Sequence, residues 1–340
     1  SHPAGVQVFI FYWIKIFGLS EASLKFPFLI MGTASVYLTY ALGKKWFGST
    51  PAILSAVLIA VMQFPIFHSQ LARPYSPGLF LVLLSSYYWI EMVFGEHRKK
   101  TVVLYILVSA LAAYVHAFSL FFIFIQGLSG LLFLKKGKLR RYILFNLLVF
   151  LLYLPHIGVF IAQLGRGDIG GWLGKPDAYF IFSFFDYAFH FSKVFLFLFF
   201  VIVIVFPIIK YNRKKGLNKF RLLSISWFMI SFLTAYLYSV FRSPIIQYST
   251  LLFVFPYLLL FLFSFTSGMK FPLKMAIVTI IALVGFYTLL TNREHYKIMY
   301  TQGFDGIVEE YIDDIEYHKV KNYNLILHAP EHRMFDYYLK

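Results

Sequence analysis

Long apolar stretches separated by short polar runs fill most of the chain. They fall at about 23–43, 50–67, 76–95, 101–115, 117–134, 142–162, 194–210, 221–241, 250–267 and 272–291. A helix needs about 20 apolar residues to cross a bilayer core, so the pattern predicts about ten transmembrane helices. Tyr114-Val115-His116 barely separates two of them. Pro65, Pro155, Pro207 and Pro256 fall in or near crossings, where a bundle tolerates kinks. Residues 4–18 (AGVQVFIFYWIKIFG) are apolar but short, interrupted by Lys15 and ended by Gly18. They predict a helix lying in the membrane interface, and Ser20-Glu21 supplies the start signal of the next helix. The aromatic stretch 178–192 reads as a second interfacial helix.

The pattern changes at Asn292. Acids cluster over 308–316 with apolar residues at helical spacing, Asn324 to His328 reads as a buried strand, and 331–339 as a helix. The expected organisation is a transmembrane domain over 1–291. Residues 292–340 then form the start of a small extracytoplasmic α/β domain, truncated at Lys340. The fold class is an all-α polytopic membrane bundle with interfacial helices and that α/β segment.

Composition agrees with a bilayer as solvent. Apolar residues make up 60% of the 340, charged residues 14%, and mean hydropathy is +0.72. Soluble domains are about 45–50% apolar and about 25% charged, so a soluble enzyme, a disordered chain and a fibrous repeat are excluded. The net charge of +16 invites a nucleic-acid reading. The placement of the charge favours membrane orientation instead. More than half of the 31 Lys and Arg residues lie in alternate loops, at Lys44-Lys45, 98–100, 135–141, 210–221 and Lys270 with Lys274. By the positive-inside rule those loops are cytoplasmic. The other face carries His2, the 68–75 loop, 163–193, 242–249 and the C-terminal tail. No cysteine is present, which excludes disulfides and thiolate chemistry. The chain starts at Ser1 without a signal peptide and reads as a piece of a longer protein.

Candidate chemistry lies on that second face. His68-Ser69-Gln70-Leu71-Ala72-Arg73-Pro74-Tyr75 is a dense donor set between two crossings. Arg73 there either snorkels to lipid phosphate or grips a bound phosphate with Tyr75 and Gln70. His2 faces solvent or a cavity above the bundle. His116 sits within apolar sequence, where an ionisable side chain marks a functional candidate, or it is a plain interfacial histidine. Arg242 either contacts a second phosphate or anchors a helix end, and Tyr248 lies nearby. Asp186 is the acid of 163–193 placed to face a site. No loop holds two close carboxylates, and no GxxxxGK[ST], HExxH or GxSxG occurs.

Three motifs occur in order: Ser1-His2-Pro3-Ala4-Gly5-Val6-Gln7, the run from Phe17 to Pro27 (FGLSEASLKFP), and His68 to Tyr75 (HSQLARPY). With Tyr114-Val115-His116, they give a chain that resembles the GT-C membrane glycosyltransferases. The nearest branch is that of the bacterial relatives of protein O-mannosyltransferases and the lipid A aminoarabinose transferase. The likeness is strongest over 1–135 and weak after 160. It implies a helical bundle whose periplasmic or luminal site takes a sugar from a polyprenyl-phosphate donor. It implies that Arg73 contacts the donor phosphate. It also implies that a base aspartate, which removes the acceptor proton or helps to bind a metal, precedes Ser1 together with the first crossing. Leu71 stands where the family often has an acid, Gln247-Tyr248 where it often has Arg-Tyr, and Ala4 where it often has Pro. No cofactor is certain, and a divalent metal is left open.

The expected activity is therefore hexosyl or pentosyl transfer to an extracytoplasmic glycolipid, polysaccharide or protein. His2, Gln70, Arg73, Tyr75, His116, Arg242 and Tyr248 shape the donor site, with the bilayer and the lipid-linked donor as partners and no nucleic acid. The expected location is a bacterial inner membrane. The alternative is a transporter or flippase of lipid-linked sugars, which should show related halves or ionisable residues at the midplane. Glu91 is the one acid inside a crossing and lies near its cytoplasmic end.

Overall fold

The computed structural model describes residues 3–96, 98–134, 136–165, 173–209, 218–300, 312, 313 and 317. Helix dominates them, and no strand occurs among them. The short first helix α1 (Gly5–Phe17) precedes α2 (Glu21–Phe47), which is capped by the Ser20 hydroxyl accepting from the Ser23 N–H at 3.2 Å. Then come α3 (Ser49–Val61), α4 (Gln63–Ser69), α5 (Tyr75–Phe94), α6 (Lys99–Val115) and α7 (Ala117–Leu131). The chain continues through α8 (Lys136–Tyr153), a 3₁₀ turn, α9 (Ile157–Gly165), α10 (Phe180–Ala188), α11 (Lys193–Ile209) and α12 (Lys219–Phe241). It ends in α13 (Tyr248–Leu251), α14 (Phe255–Phe263) with a 3₁₀ turn, α15 (Phe271–Thr291) and α16 (His295–Tyr300).

Helix occupies each of the ten predicted stretches. Among the described residues, five helices are long and apolar enough to cross alone, or up to seven spans if two bent pairs each count as one. The pairs are α3 with α4, bent by 63°, and α10 with α11, bent by 103°. The first bend has a local cause: Met62 is extended (φ −72°, ψ 132°), and its N–H closes α3 on the Leu58 carbonyl. The chain is a multi-pass membrane protein. Of the predicted α/β segment, 292–300, 312, 313 and 317 are described, and α16 lies in the first stretch; the predicted strand and final helix lie outside the described residues.

The bundle interior is aromatic. Trp227 packs edge-on against Trp89, Phe122 and Tyr257 at 5.3, 5.3 and 5.2 Å, and Phe122 stacks on Tyr257 at 5.1 Å. Polar side chains within the spans satisfy one another, because lipid offers them no partner. Ser85 donates to Gln126 at 2.7 Å, Gln126 donates to Ser86 at 2.8 Å, and Ser86 pairs with the Tyr257 hydroxyl at 2.6 Å.

The ends of the bundle differ. At one, Lys45 pairs with Glu91, Trp46 stacks on Phe220 at 5.7 Å, and Lys219 lies 4.0 Å from the Phe94 ring centre. Buried Arg221 donates to the Ser264 hydroxyl and carbonyl there. This end gathers the basic loops. At the other end two central helices are short, and the region beyond their ends is termed the recess. At 1.5 Å per residue α3 rises about 20 Å, and 255–266 about 18 Å, against a core of about 30 Å. They pack on each other, and α3 also packs on α15. The bend of 63° at Met62 starts α4 there.

Candidate functional site

The recess has an aromatic–imidazole half and a cationic half, both built around α4. In the first half, Tyr75 begins α5 with its ring 4.3 Å from buried His68 and 5.7 Å from buried His116. Phe253 closes the cluster, 4.7 Å from His116 and 6.4 Å from Tyr75. His116 is here because it ends α6 in an extended conformation (φ −152°, ψ 142°) and caps α7, its Nδ1 accepting the Phe118 N–H at 3.0 Å. The neutral ring therefore carries its proton on Nε2. Gly78 lets Phe253 and Ser119 approach: a Cβ there meets Phe253 Cε1 at 2.5 Å and Ser119 Oγ at 2.8 Å.

The second half is organised by the turn between α10 and α11. His190 and Phe191 both adopt positive φ, 64° and 54°, a conformation that costs about 1–3 kcal/mol at a non-glycine residue. The Phe191 N–H donates to the Asp186 carbonyl at 2.7 Å, and Asp186 Oδ1 pairs with Lys193 Nζ at 2.8 Å. The strained turn delivers His190, fully buried, to two distant elements. Its Nε2 accepts the Gln63 N–H at 2.8 Å, and its Nδ1 lies 2.8 Å from Thr288 Oγ1. The first bond requires a lone pair on Nε2, so Nδ1–H donates to the threonine. Burial, then Arg293 and His295, push the His190 pKa down to about 3.

Arg293 enters from the end of α15. Its guanidinium lies 5.0 Å from the Tyr187 ring centre and 5.1 Å from that of Phe191, and it donates to Gln63 Oε1 at 3.0 Å. Two residues on, His295 Nε2 is 3.2 Å from Gln70 Oε1. Burial and then Arg293 lower the His295 pKa.

The structure thus brings Tyr75 and His116 into one cluster, joins Gln70 to His295, and seats Tyr248 on Tyr187 at 4.9 Å, beside Arg293. Arg73 and Arg242 are exposed, and among the described residues their guanidinium groups take no partner. Asp186 serves the α10–α11 turn through Lys193. His2 lies outside the described residues. Sequence reasoning did not single out Gln63, Arg293 or His295. The available signal was Asn292-Arg293-Glu294-His295 directly after an apolar stretch. Among the described residues no three His, Asp or Glu side chains converge on a metal position. An apolar groove of about 410 Å³ runs along α6, α7 and α8, from Leu131 and Tyr142 to Ala113 and Tyr153 near His116.

Residues 1–159 match the sequence profile of a family described as dolichyl-phosphate-mannose-protein mannosyltransferase. An uncharacterized protein of Aquifex aeolicus (strain VF5) is 35% identical over 86 residues, 24% of this chain and 17% of that one. The fold is that of ArnT from Cupriavidus metallidurans. Its crystal structure bound to undecaprenyl phosphate superposes with a TM-score of 0.55 at 11% identity, over 82% of this chain and 52% of that one. Its apo structure gives 0.53 at 12% identity, over 90% and 59%. The chain thus spans little more than half the length of the ArnT chains and a smaller part of the Aquifex protein. The resemblance to the GT-C membrane glycosyltransferases holds, in sequence over the first 159 residues and in fold over most of the chain.

Proposed function

We propose that this chain is the membrane-embedded catalytic part of a glycosyltransferase that moves a sugar from a polyprenyl-phosphate donor to an acceptor outside the cytoplasm. The observation that carries the reading is the division of the bundle into two ends. The basic loops gather at one, and buried imidazoles, aromatic rings and half-buried Arg293 cluster around α4 at the other. The fold likeness to ArnT and the profile match over 1–159 support it.

In this reading the ten helical stretches make ten crossings, the basic loops are cytoplasmic, and the recess faces the periplasm or exterior. Residues 292–340 open a small extracytoplasmic domain. The prenyl chain lies in bilayer and the apolar groove on α6, α7 and α8 suits it, so the donor phosphate arrives at the mouth of the recess. Exposed Arg73 and Arg242 stabilise the charge that grows on the leaving phosphate. Tyr75, His116 and Tyr248 wall the sugar, with Gln70 and His2 adding hydrogen bonds. Asp186 keeps its pair with Lys193.

The test uses the full-length protein in membranes with radiolabelled polyprenyl-phosphate sugars. Release of label from the lipid is expected, and Arg73→Ala is expected to abolish it while leaving the protein inserted. Wild-type release in Arg73→Ala overturns the donor-site assignment. Absence of release from every donor, with lipid-linked sugar crossing the bilayer instead, replaces the transferase by a transporter.

A further inference from the structure

Arg293 is half-buried and clamped between two aromatic faces, Tyr187 and Phe191. Its one hydrogen bond among the described residues goes to a neutral acceptor, Gln63 Oε1. Its Nε is buried without an acceptor. Among the described residues, the neighbouring acids are already paired, Glu294 with Lys297 at 3.0 Å and Asp186 with Lys193. A guanidinium partly withdrawn from water, with no counter-charge among the described residues, is costly, and the two rings compensate only part of that cost.

The same wall holds a second unfilled position. His295 is 2% exposed, its Nε2 faces Gln70, and its Nδ1 is buried without a partner. Turning the Gln70 amide to offer its NH₂ to Nε2 moves the ring proton to Nδ1 and makes it a donor. Gln63 and Gln70 stand at the two ends of α4, so one short helix presents the acceptors of both Arg293 and His295. Buried His68, which lies between them in sequence, likewise has an unpartnered Nδ1.

We infer that Arg293 and His295, held against α4 by Gln63 and Gln70, form a binding site for a phosphate group, carried on a lipid or free. A phosphate oxygen satisfies the buried Nε–H of Arg293 and the Nδ1–H of His295, and its charge neutralises the clamped guanidinium. The site is built without Arg73 or Arg242. Only the lipid carrier rests on the transferase reading; the anion site rests on the unfilled donors.

The test is calorimetric titration of the full chain in neutral-lipid nanodiscs, with a short-chain polyprenyl phosphate in one arm and inorganic phosphate in the other. Phosphate binding is expected to weaken about 10–100-fold in Arg293→Gln, the range for losing a charge-assisted bond, and several-fold in His295→Ala. Arg293→Lys keeps the charge and loses the planar fork, so it is expected between wild type and Arg293→Gln. It also keeps the test open if the glutamine variant does not fold. Binding in the lipid arm alone assigns the phosphate to a lipid headgroup; binding in both shows that the phosphate suffices. Wild-type affinity of folded Arg293→Gln and Arg293→Lys in both arms overturns the site. Arg293-dependent binding without sugar transfer from any donor keeps the site and sinks the transferase. Transfer lost in Arg73→Ala with phosphate affinity unchanged in Arg293→Gln does the reverse.

Discussion

The Nε2 atom of His190 accepts a hydrogen bond from the backbone N–H of Gln63, 127 positions earlier, at 2.8 Å. Gln63 is the first residue of α4, directly after the bend at Met62, so its N–H has no acceptor within the helix. His190 supplies one, and its other nitrogen holds Thr288 of α15. One imidazole thereby ties α4 to the α10–α11 turn and to α15.

Removing that imidazole leaves the buried Gln63 N–H and Thr288 Oγ1 to find new partners. His190→Ala is expected to lower stability by about 2–4 kcal/mol, combining a lost buried hydrogen bond with a cavity. Thr288→Val, which removes only the Nδ1–H acceptor, should cost about 1–3 kcal/mol. Thermal unfolding in detergent, followed by aromatic circular dichroism, checks both. Unchanged midpoints refute the role of the tie.

Burial of the same imidazole, beside Arg293 and His295, gives stability a pH dependence. The folded-state pKa of His190 is depressed to about 3, against about 6.5 in an unfolded chain. Between those values the unfolded state holds more protons, so stability rises with pH there. The contribution is complete above about pH 6.5 and is lost as pH falls toward 3. His295 adds in the same direction. The unfolding midpoint is expected to drop between pH 7.5 and pH 5, and the drop to shrink in His190→Gln. An equal drop in that variant removes His190 as its source.

Gly78 tests the aromatic half. A methyl group there meets Phe253 and Ser119 within 3 Å, and Phe253 packs on both His116 and Tyr75. Gly78→Ala should cost about 1–3 kcal/mol through overpacking and displace Phe253 toward the site. If the recess binds the donor sugar, turnover falls while the protein stays inserted. Full turnover at wild-type stability contradicts this packing.

Arg73→Lys separates charge from geometry. If the guanidinium fork holds the leaving phosphate, a lysine keeps the charge but loses the bidentate contact. Transfer is expected to fall by about 10–100-fold, less than in Arg73→Ala. Equal loss in both variants assigns the whole effect to the fork, and no loss in Arg73→Lys assigns it to charge alone.

At the opposite end, Lys45 and Glu91 join α2 to α5. Each side chain is about one-third exposed, so a double-mutant cycle with Lys45→Met and Glu91→Gln should give a coupling of about 1 kcal/mol or less. A coupling several times larger means that the pair is a structural tie of the bundle.

The amino-acid sequence by itself determined the helical class, the position of each helical stretch and the sorting of basic loops to one end. These follow from local composition: apolar runs partition into lipid, and charge near their ends sets direction. It also reached the break at His116, because a histidine interrupting an apolar run must lead somewhere polar, and in the fold it caps α7. Tertiary structure alone decided that α3 stops short and bends, that a strained turn carries His190 to Gln63, and that Arg293 and His295 close the recess beside Gln70. Those residues are separated by 127 and 225 positions. No periodicity encodes such a meeting, because it depends on how helices of unequal length pack around one another, with each buried polar group taking the partner that packing leaves within reach.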